Sequence, residues 1–188
     1  MNIGIDIDDT LTNSFDYFQQ YVAEYFNVSI DYLKEKNISY SNLPNVWKNK
    51  ELDFFKAYYD KVVPFTPFKE YAREALNKLK EAGHRIVIIT ARTKAFYQEP
   101  YKTTVDELNI GNISYDKLVC STNKAEACKE EKIDLFIDDI VENVESVKKL
   151  GIEVLLFTSK ENELKKTSLN RVNNWHEVIE IVTKKYKG

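Results

Sequence analysis

The sequence predicts an α/β fold, a parallel sheet covered by helices on both faces, with a helical insertion after the first strand. Three observations carry that expectation. Short apolar runs rich in Ile, Val, Leu and Phe recur along the chain, as fully buried strands require. Stretches with helical spacing lie between them. Three of the five glycines, Gly83, Gly111 and Gly151, stand where helix C-caps belong. Strands alternating with helices imply right-handed crossovers and hence parallel pairing.

In chain order, the first strand is Ile3 to Ile7, which runs into Asp6-Ile7-Asp8-Asp9-Thr10. Roughly 75 residues separate Asp8 from the next strand at His84, about 50 more than a crossover helix uses. The excess, residues 15–65, reads as several short helices starting at Asn13/Ser14, Ser29 and Pro44. Between Phe15 and Tyr71 lie 16 of the chain's 24 aromatic residues. Large rings can build a small core from few residues, and the same rings can face a planar ligand; both readings stand. A helix over Pro67 to Ala82 follows, then the strand Arg85 to Ile89, closing on Thr90-Ala91-Arg92. Next come a helix near Gln98 to Leu108 and a weaker strand within Ile113 to Cys120. Ser121-Thr122-Asn123 leads into a short helix at Lys124. The strand Leu135 to Ile137 closes on Asp138-Asp139, a helix covers Val141 to Leu150, and Ile152 to Phe157 forms another strand. Lys184, Lys185 and Lys187 read as a solvated helix end.

At 188 residues the chain fits one domain carrying a sizeable insertion. Hydrophobic residues at 43% and charged residues at 30% are the balance of a soluble globular protein. With 27 basic against 30 acidic side chains there is no global positive field, so neither a nucleic-acid polymer nor a membrane is the expected partner. The start MNIGIDIDD is acidic where a signal peptide is basic, and no run approaches the ~18 apolar residues of a membrane span. Cys120 and Cys128, eight apart with no CxxC, are expected to be reduced core residues. A cytoplasmic monomer or homodimer is the expectation.

The chemistry gathers at strand ends. Residues i and i+2 of an extended segment point the same way, so Asp6 and Asp8 should project together beyond the first strand, where open α/β sheets bind ligands. Two such carboxylates repel unless one is protonated or a cation lies between them, and Mg²⁺ prefers carboxylate oxygens. Thr90 and Arg92 reach the same edge, where a hydroxyl and a guanidinium can hold phosphate oxygens. Asp138 and Asp139 fall there too, whereas Asp134 starts its strand and belongs at the far end. Lys124 could neutralise a phosphate, with Lys117 and Lys129 close by in sequence as alternatives.

The ordered set Asp6-x-Asp8-x-Thr10, Thr90, Lys124, Asp138-Asp139 resembles the haloacid dehalogenase superfamily of phosphotransferases from Asn2 to about Phe157. The form IGIDIDDTLT and the long insertion are similar to the 5′(3′)-deoxyribonucleotidase branch and its bacterial nucleotidase relatives. The resemblance implies a Rossmann-like core over residues 1–14 and 66–188 with a helical cap over 15–65. It implies Asp6 as the nucleophile that forms an aspartyl-phosphate, and Asp8 as general acid and then base. It gives Thr90 and Lys124 to the phosphoryl oxygens, and Asp6, the Asp8 backbone carbonyl and Asp138 to Mg²⁺, with Asp139 in support. One departure is Asp9, where the family often has Gly. The expected substrate is a small phosphate monoester, a nucleoside monophosphate by the branch, with a sugar phosphate as the alternative. In the cap, Phe15 and Phe18 follow the catalytic strand most closely. A phosphoacceptor receiver module is the reading from another class, but receivers place the Lys after the acidic residues and the Thr, and they lack so long an insertion.

Overall fold

In the computed structural model, which describes residues 1–185, every strand pairing is parallel. β1 (Asn2–Ile5) lies between β2 (Arg85–Thr90) and β4 (Leu135–Asp138). β3 (Lys117–Cys120) flanks β2, and β5 (Glu153–Phe157) and β6 (Arg171–Val172) extend the other side, giving the order β3-β2-β1-β4-β5-β6. Chain connections leave β1 toward one side and β4 toward the other. A crevice therefore opens between those two strands at their carboxyl ends, which is where such sheets hold ligands.

Alternation along each strand separates two apolar layers. Ile3, Ile5, Ile86, Ile88, Ile137 and Leu155 pack under α4 (Ala72–Glu81), α5 (Pro100–Ile110) and α8 (Trp175–Lys185). Val87, Ile89, Phe136, Val154 and Leu156 face α6 (Lys124–Glu130) and α7 (Val141–Lys148). Lys187 of the expected basic helix end lies outside the described residues. Cys128 is buried as expected, while Cys120 is only partly so.

After β1 the chain enters α1 (Ser14–Phe26), α2 (Ile30–Glu35), a 3-10 turn over Asn45–Lys50 and α3 (Glu51–Val62). The Ser29 hydroxyl caps α2 by accepting from the Tyr32 amide at 3.1 Å. These helices own a third apolar cluster, built from Phe18, Val22, Leu33, Phe54, Phe55, Tyr59 and Val62 and joined by Tyr97 from the loop after β2. Entry and exit run side by side. Asn13 N–H donates to the Pro67 carbonyl at 2.8 Å, Lys69 N–H to the Leu11 carbonyl at 2.7 Å, and Thr12 bridges antiparallel to Phe68.

That neck corrects the helix expected from Pro67. Residues 67–69 are committed to extended pairing and Tyr71 takes a left-handed φ of 64°, so α4 starts only at Ala72. Gly83 and Gly151 adopt φ of 81° and 79°, as C-caps require. Gly111 does not. Its φ is −74°, the left-handed turn falls on Asn112, and its lack of a side chain matters for packing, because a Cβ there would lie 2.2 Å from Phe68 Cε2. The strand expected from Ile113 begins at Lys117, and the helix expected from Gln98 begins at Pro100, a residue suited to the first turn.

Candidate active site

Asp6 leaves β1 while its N–H still donates to the Ile137 carbonyl at 2.9 Å, so β1–β4 pairing fixes its position. The loop beyond folds around one acceptor. The amides of Thr10, Leu11 and Thr12 all reach the Ile7 carbonyl, at 3.1, 2.8 and 3.1 Å. This tight wrap holds Asp9 at φ 57°, a region that Gly enters freely and Asp tolerates better than most residues. The departure at Asp9 therefore keeps the backbone and adds a carboxylate. One of its oxygens accepts from the Phe15 amide at 2.8 Å, serving a donor of the first turn of α1 where the Asn13 side chain makes no cap; the other accepts from the Tyr40 hydroxyl at 3.2 Å.

On β4, Asp138 accepts from the Ile140 amide at 2.7 Å and from Asn143 Nδ2 at 3.0 Å. Asn162 donates to the Asp139 carbonyl at 2.6 Å and is itself held by Arg171 Nη1 at 2.6 Å. Asp6, Asp138 and Asp139 each bring an oxygen within 4.8 Å of the others, all three buried. Burial raises Asp6 to about 7 against the opposing charge of Lys124. Burial likewise raises Asp138, and raises Asp139 well above the usual range with the repulsion of Asp138, Asp9 and Asp6 added. Three buried carboxylates in mutual repulsion form an all-oxygen donor set that suits a hard divalent cation.

Of the three candidate lysines, Lys124 is the one at the site. Its ammonium donates to Asp6 and to the Ile89 carbonyl and lies 3.7 Å from Asp138, on a helix capped by Asn123. Burial would lower its pKa, but the charges of Asp6 and Asp138 prevail and raise it. Lys117 pairs with Glu131 and Lys129 is exposed. Thr90 is fully buried, and its hydroxyl has no hydrogen-bond partner among the described residues. Asp134, as expected, lies at the opposite edge, where it accepts from the Asn2 amide.

Asp8 lines the same cavity as Asp6, as expected, but meets other partners. Ser14 donates to it at 2.8 Å, and Arg92 forks onto it through Nε at 3.1 Å and Nη2 at 2.9 Å. Burial would raise Asp8, but the charge and hydrogen bonds of Arg92 outweigh it and hold the carboxyl below the usual range. The guanidinium expected to grip phosphate is thus already engaged. It is 3% exposed and its remaining edge meets Thr104 and the buried Glu107.

Above these groups lies a cavity of about 230 Å³ lined by Asp6, Asp8, Arg92 and Lys124 on the core side and by Phe18, Tyr40, Tyr59, Phe96 and Tyr97. The rings pack edge-on or tilted against one another, Phe18 at 5.2 Å from Tyr59 and Tyr59 at 4.8 Å from Tyr97, so the same aromatics build a core and wall the cavity. Phe15 lies elsewhere, in the cavities beside Lys160 and Glu163. Sequence reasoning missed Ser14, Asn143, Asn162 and Glu107. Only Glu107 left a signal: it is a charged residue on the buried stripe Thr103, Thr104, Glu107, Leu108 of α5.

Comparison with known proteins shows the family and the fold. A provisionally named nucleotidase, YqfW of Bacillus subtilis (strain 168), is 32% identical over 96% of this chain and 92% of its own length. A nucleotidase of Clostridium acetobutylicum is 26% identical over 100% of this chain and 96% of its own. The fold is shared with a crystal structure titled as a predicted phosphatase from Clostridium acetobutylicum, at TM-score 0.71 and 18% identity, covering 97% of this chain and 98% of that one. It is shared as well with a HAD-superfamily hydrolase from Geobacter sulfurreducens, at TM-score 0.64 and 14% identity over 96% and 95% of the two chains. Residues 1–186 match the model of one family across nearly the whole length, cap and core together. The chain is a phosphatase-type hydrolase of the haloacid dehalogenase superfamily and belongs to its 5′ nucleotidase, deoxy (pyrimidine), cytosolic type C protein family.

Proposed function

We propose that this protein is a Mg²⁺-dependent phosphatase that hydrolyses nucleoside monophosphates, deoxy forms among them, through an aspartyl-phosphate on Asp6. The observation that carries the reading is the Asp6, Asp138, Asp139 and Lys124 cluster at the floor of an aromatic-walled cavity. Residues 15–65 act as the cap and residues 1–14 and 66–188 as the catalytic core.

Asp6 attacks phosphorus through a carboxylate oxygen as the ester P–O bond breaks, and Asp8, ionised in the free enzyme and protonated by the bound phosphate monoanion, gives that proton to the departing oxygen. Asp8 then takes a proton from water as the water oxygen attacks the acyl phosphate, and the P–O bond to Asp6 breaks to release orthophosphate. Lys124 and the Thr90 hydroxyl hold the phosphoryl oxygens, the latter supplied at last with an acceptor. Asp6, Asp138 and Asp139 would hold Mg²⁺ with the Asp8 backbone carbonyl, and the ion would supply charge neutralisation for phosphoryl transfer. The rings supply a stacking surface worth about 1–3 kcal/mol to a planar base.

A panel of phosphorylated metabolites assayed with Mg²⁺, covering 5′ and 3′ nucleotides in ribo and deoxy forms and hexose phosphates, tests the substrate. Nucleotides should give the highest kcat/KM. Hexose phosphates turning over tenfold faster than every nucleotide would discard the nucleotidase reading and leave the phosphatase. That second reading draws on Ser41 and Glu161, two polar groups on the cavity wall able to meet sugar hydroxyls.

A further inference from the structure

Glu107 is 0% exposed, and its Oε1 has no hydrogen-bond partner among the described residues. Its other oxygen accepts from Arg92 Nη1. Burying a carboxylate and a guanidinium together seldom stabilises a fold more than an apolar pair of equal volume would, and the buried stripe of α5 needs neither charge. The pair makes sense at the far end of the guanidinium. That group is a rigid plane with donors on fixed vectors, so anchoring Nη1 on Glu107 sets the direction of the Nε and Nη2 edge. That edge meets both oxygens of Asp8.

The two Asp8 oxygens are not equivalent. Oδ1 accepts from Arg92 Nη2 and from the Ser14 hydroxyl, which fills its two lone pairs. Among the described residues Oδ2 accepts from Nε alone, which leaves one lone pair open. We propose that Glu107 and Arg92 form a positioning unit, touching no substrate, that fixes Asp8 so that Oδ2 is the oxygen that exchanges the proton with the leaving group and with water. The proposal rests on the acid–base reading of Asp8. Asp8 is ionised in the free enzyme, so Oδ2 first takes the proton of the bound phosphate monoanion; in the first step that Oδ2–H bond breaks and the leaving oxygen gains the proton as its bond to phosphorus breaks. In the second, a water proton goes to Oδ2 as the water oxygen bonds to phosphorus.

Two substrates of similar shape separate positioning from structural support. Benzyl phosphate expels an alkoxide that needs the proton, whereas 4-nitrophenyl phosphate expels a phenolate that does not. For both, kcat/KM reports transition-state stabilisation relative to the free enzyme and substrate. Glu107→Leu, which removes the acceptor, and Arg92→Lys should each lose at least about tenfold on benzyl phosphate and no more than about threefold on the nitrophenyl ester, given what a placed general acid contributes. Lysine should not rescue, because an ammonium cannot fork. The double variant Arg92→Met with Glu107→Leu removes both charges of the pair and leaves Asp8 held by Ser14 alone; because the Asp8 side chain is 31% exposed and can be solvated, the variant should still fold and show the selective loss. It also carries the test if the single Glu107→Leu variant fails to fold. Equal losses on both esters, or a double variant with wild-type kcat/KM on benzyl phosphate, would reduce the pair to structural support. Asp8→Asn is the benchmark: if it shows no leaving-group selectivity, the acid–base reading fails and takes this proposal with it. If it alone shows selectivity, only the positioning role fails.

Discussion

Asp6 and Asp8 are two residues apart, yet they meet opposite partners, a buried ammonium and a buried guanidinium. Replacing each by Asn should therefore give distinct defects. Asp6→Asn removes the attacking oxygen and a metal-facing carboxylate, and turnover should fall by more than about a thousandfold. A variant keeping a tenth of wild-type kcat would exclude Asp6 as nucleophile. Asp8→Asn should keep Mg²⁺ affinity near wild type by calorimetry while turnover falls, because its side chain is directed at Arg92 and Ser14. Lys124→Met should cut kcat far more than the same change at Lys117 or Lys129, which stand away from Asp6. The placement of Asp6, Thr90 and Asp138 at one edge was legible because strand ends follow from local apolar runs. The occupation of Arg92 was not, since Glu107 lies 15 residues onward and meets it only through the packing of α5.

Elements whose signals are local came out close to expectation, and those decided by a distant partner did not. Gly83 and Gly151 mark helix ends because the required φ is a property of the residue itself. The stretch 67–71 carries helical spacing but becomes one side of the neck, since residues 11–13, more than 50 positions earlier, claim its main chain. The same neck explains Gly111, whose packing partner Phe68 belongs to it. Gly111→Ala keeps an accessible φ yet drives a methyl into the Phe68 ring, so it should cost about 1–3 kcal/mol in urea unfolding. An unchanged midpoint would show that the ring moves aside freely.

For the molecule as a whole, buried acids dominate the response to pH. Burial raises Asp6 and Asp9 from 3.8, and Glu107 from 4.5, to about 7 in each case. Between about pH 4 and 7 the folded state then holds more protons than the unfolded chain, so metal-free stability should fall as pH rises through that window. Asp8, lowered by Arg92, acts in the opposite sense: its contribution is present above 3.8 and is lost only as pH falls through its lower folded value, outside that window. Protons and Mg²⁺ compete for Asp6, so the rise in Tm on adding Mg²⁺ should be small at pH 5 and grow toward pH 8. A metal shift independent of pH would remove Asp6 from the ligand set.

The neck also bears on how the chain reaches this state. β1 and β2 pair across about 80 residues of sequence, and a loop of that length is entropically costly to close. Once the intervening helices have condensed on their own aromatic cluster, however, the two strands of the neck are already side by side, and the slack still to be gathered is only the neck and α4. Shrinking the closing loop from about 80 to about 30 residues lowers its entropy cost by about 0.9 kcal/mol. Helices that condense first would thus shorten the search for the central strand pair, a consequence of where the chain departs and returns.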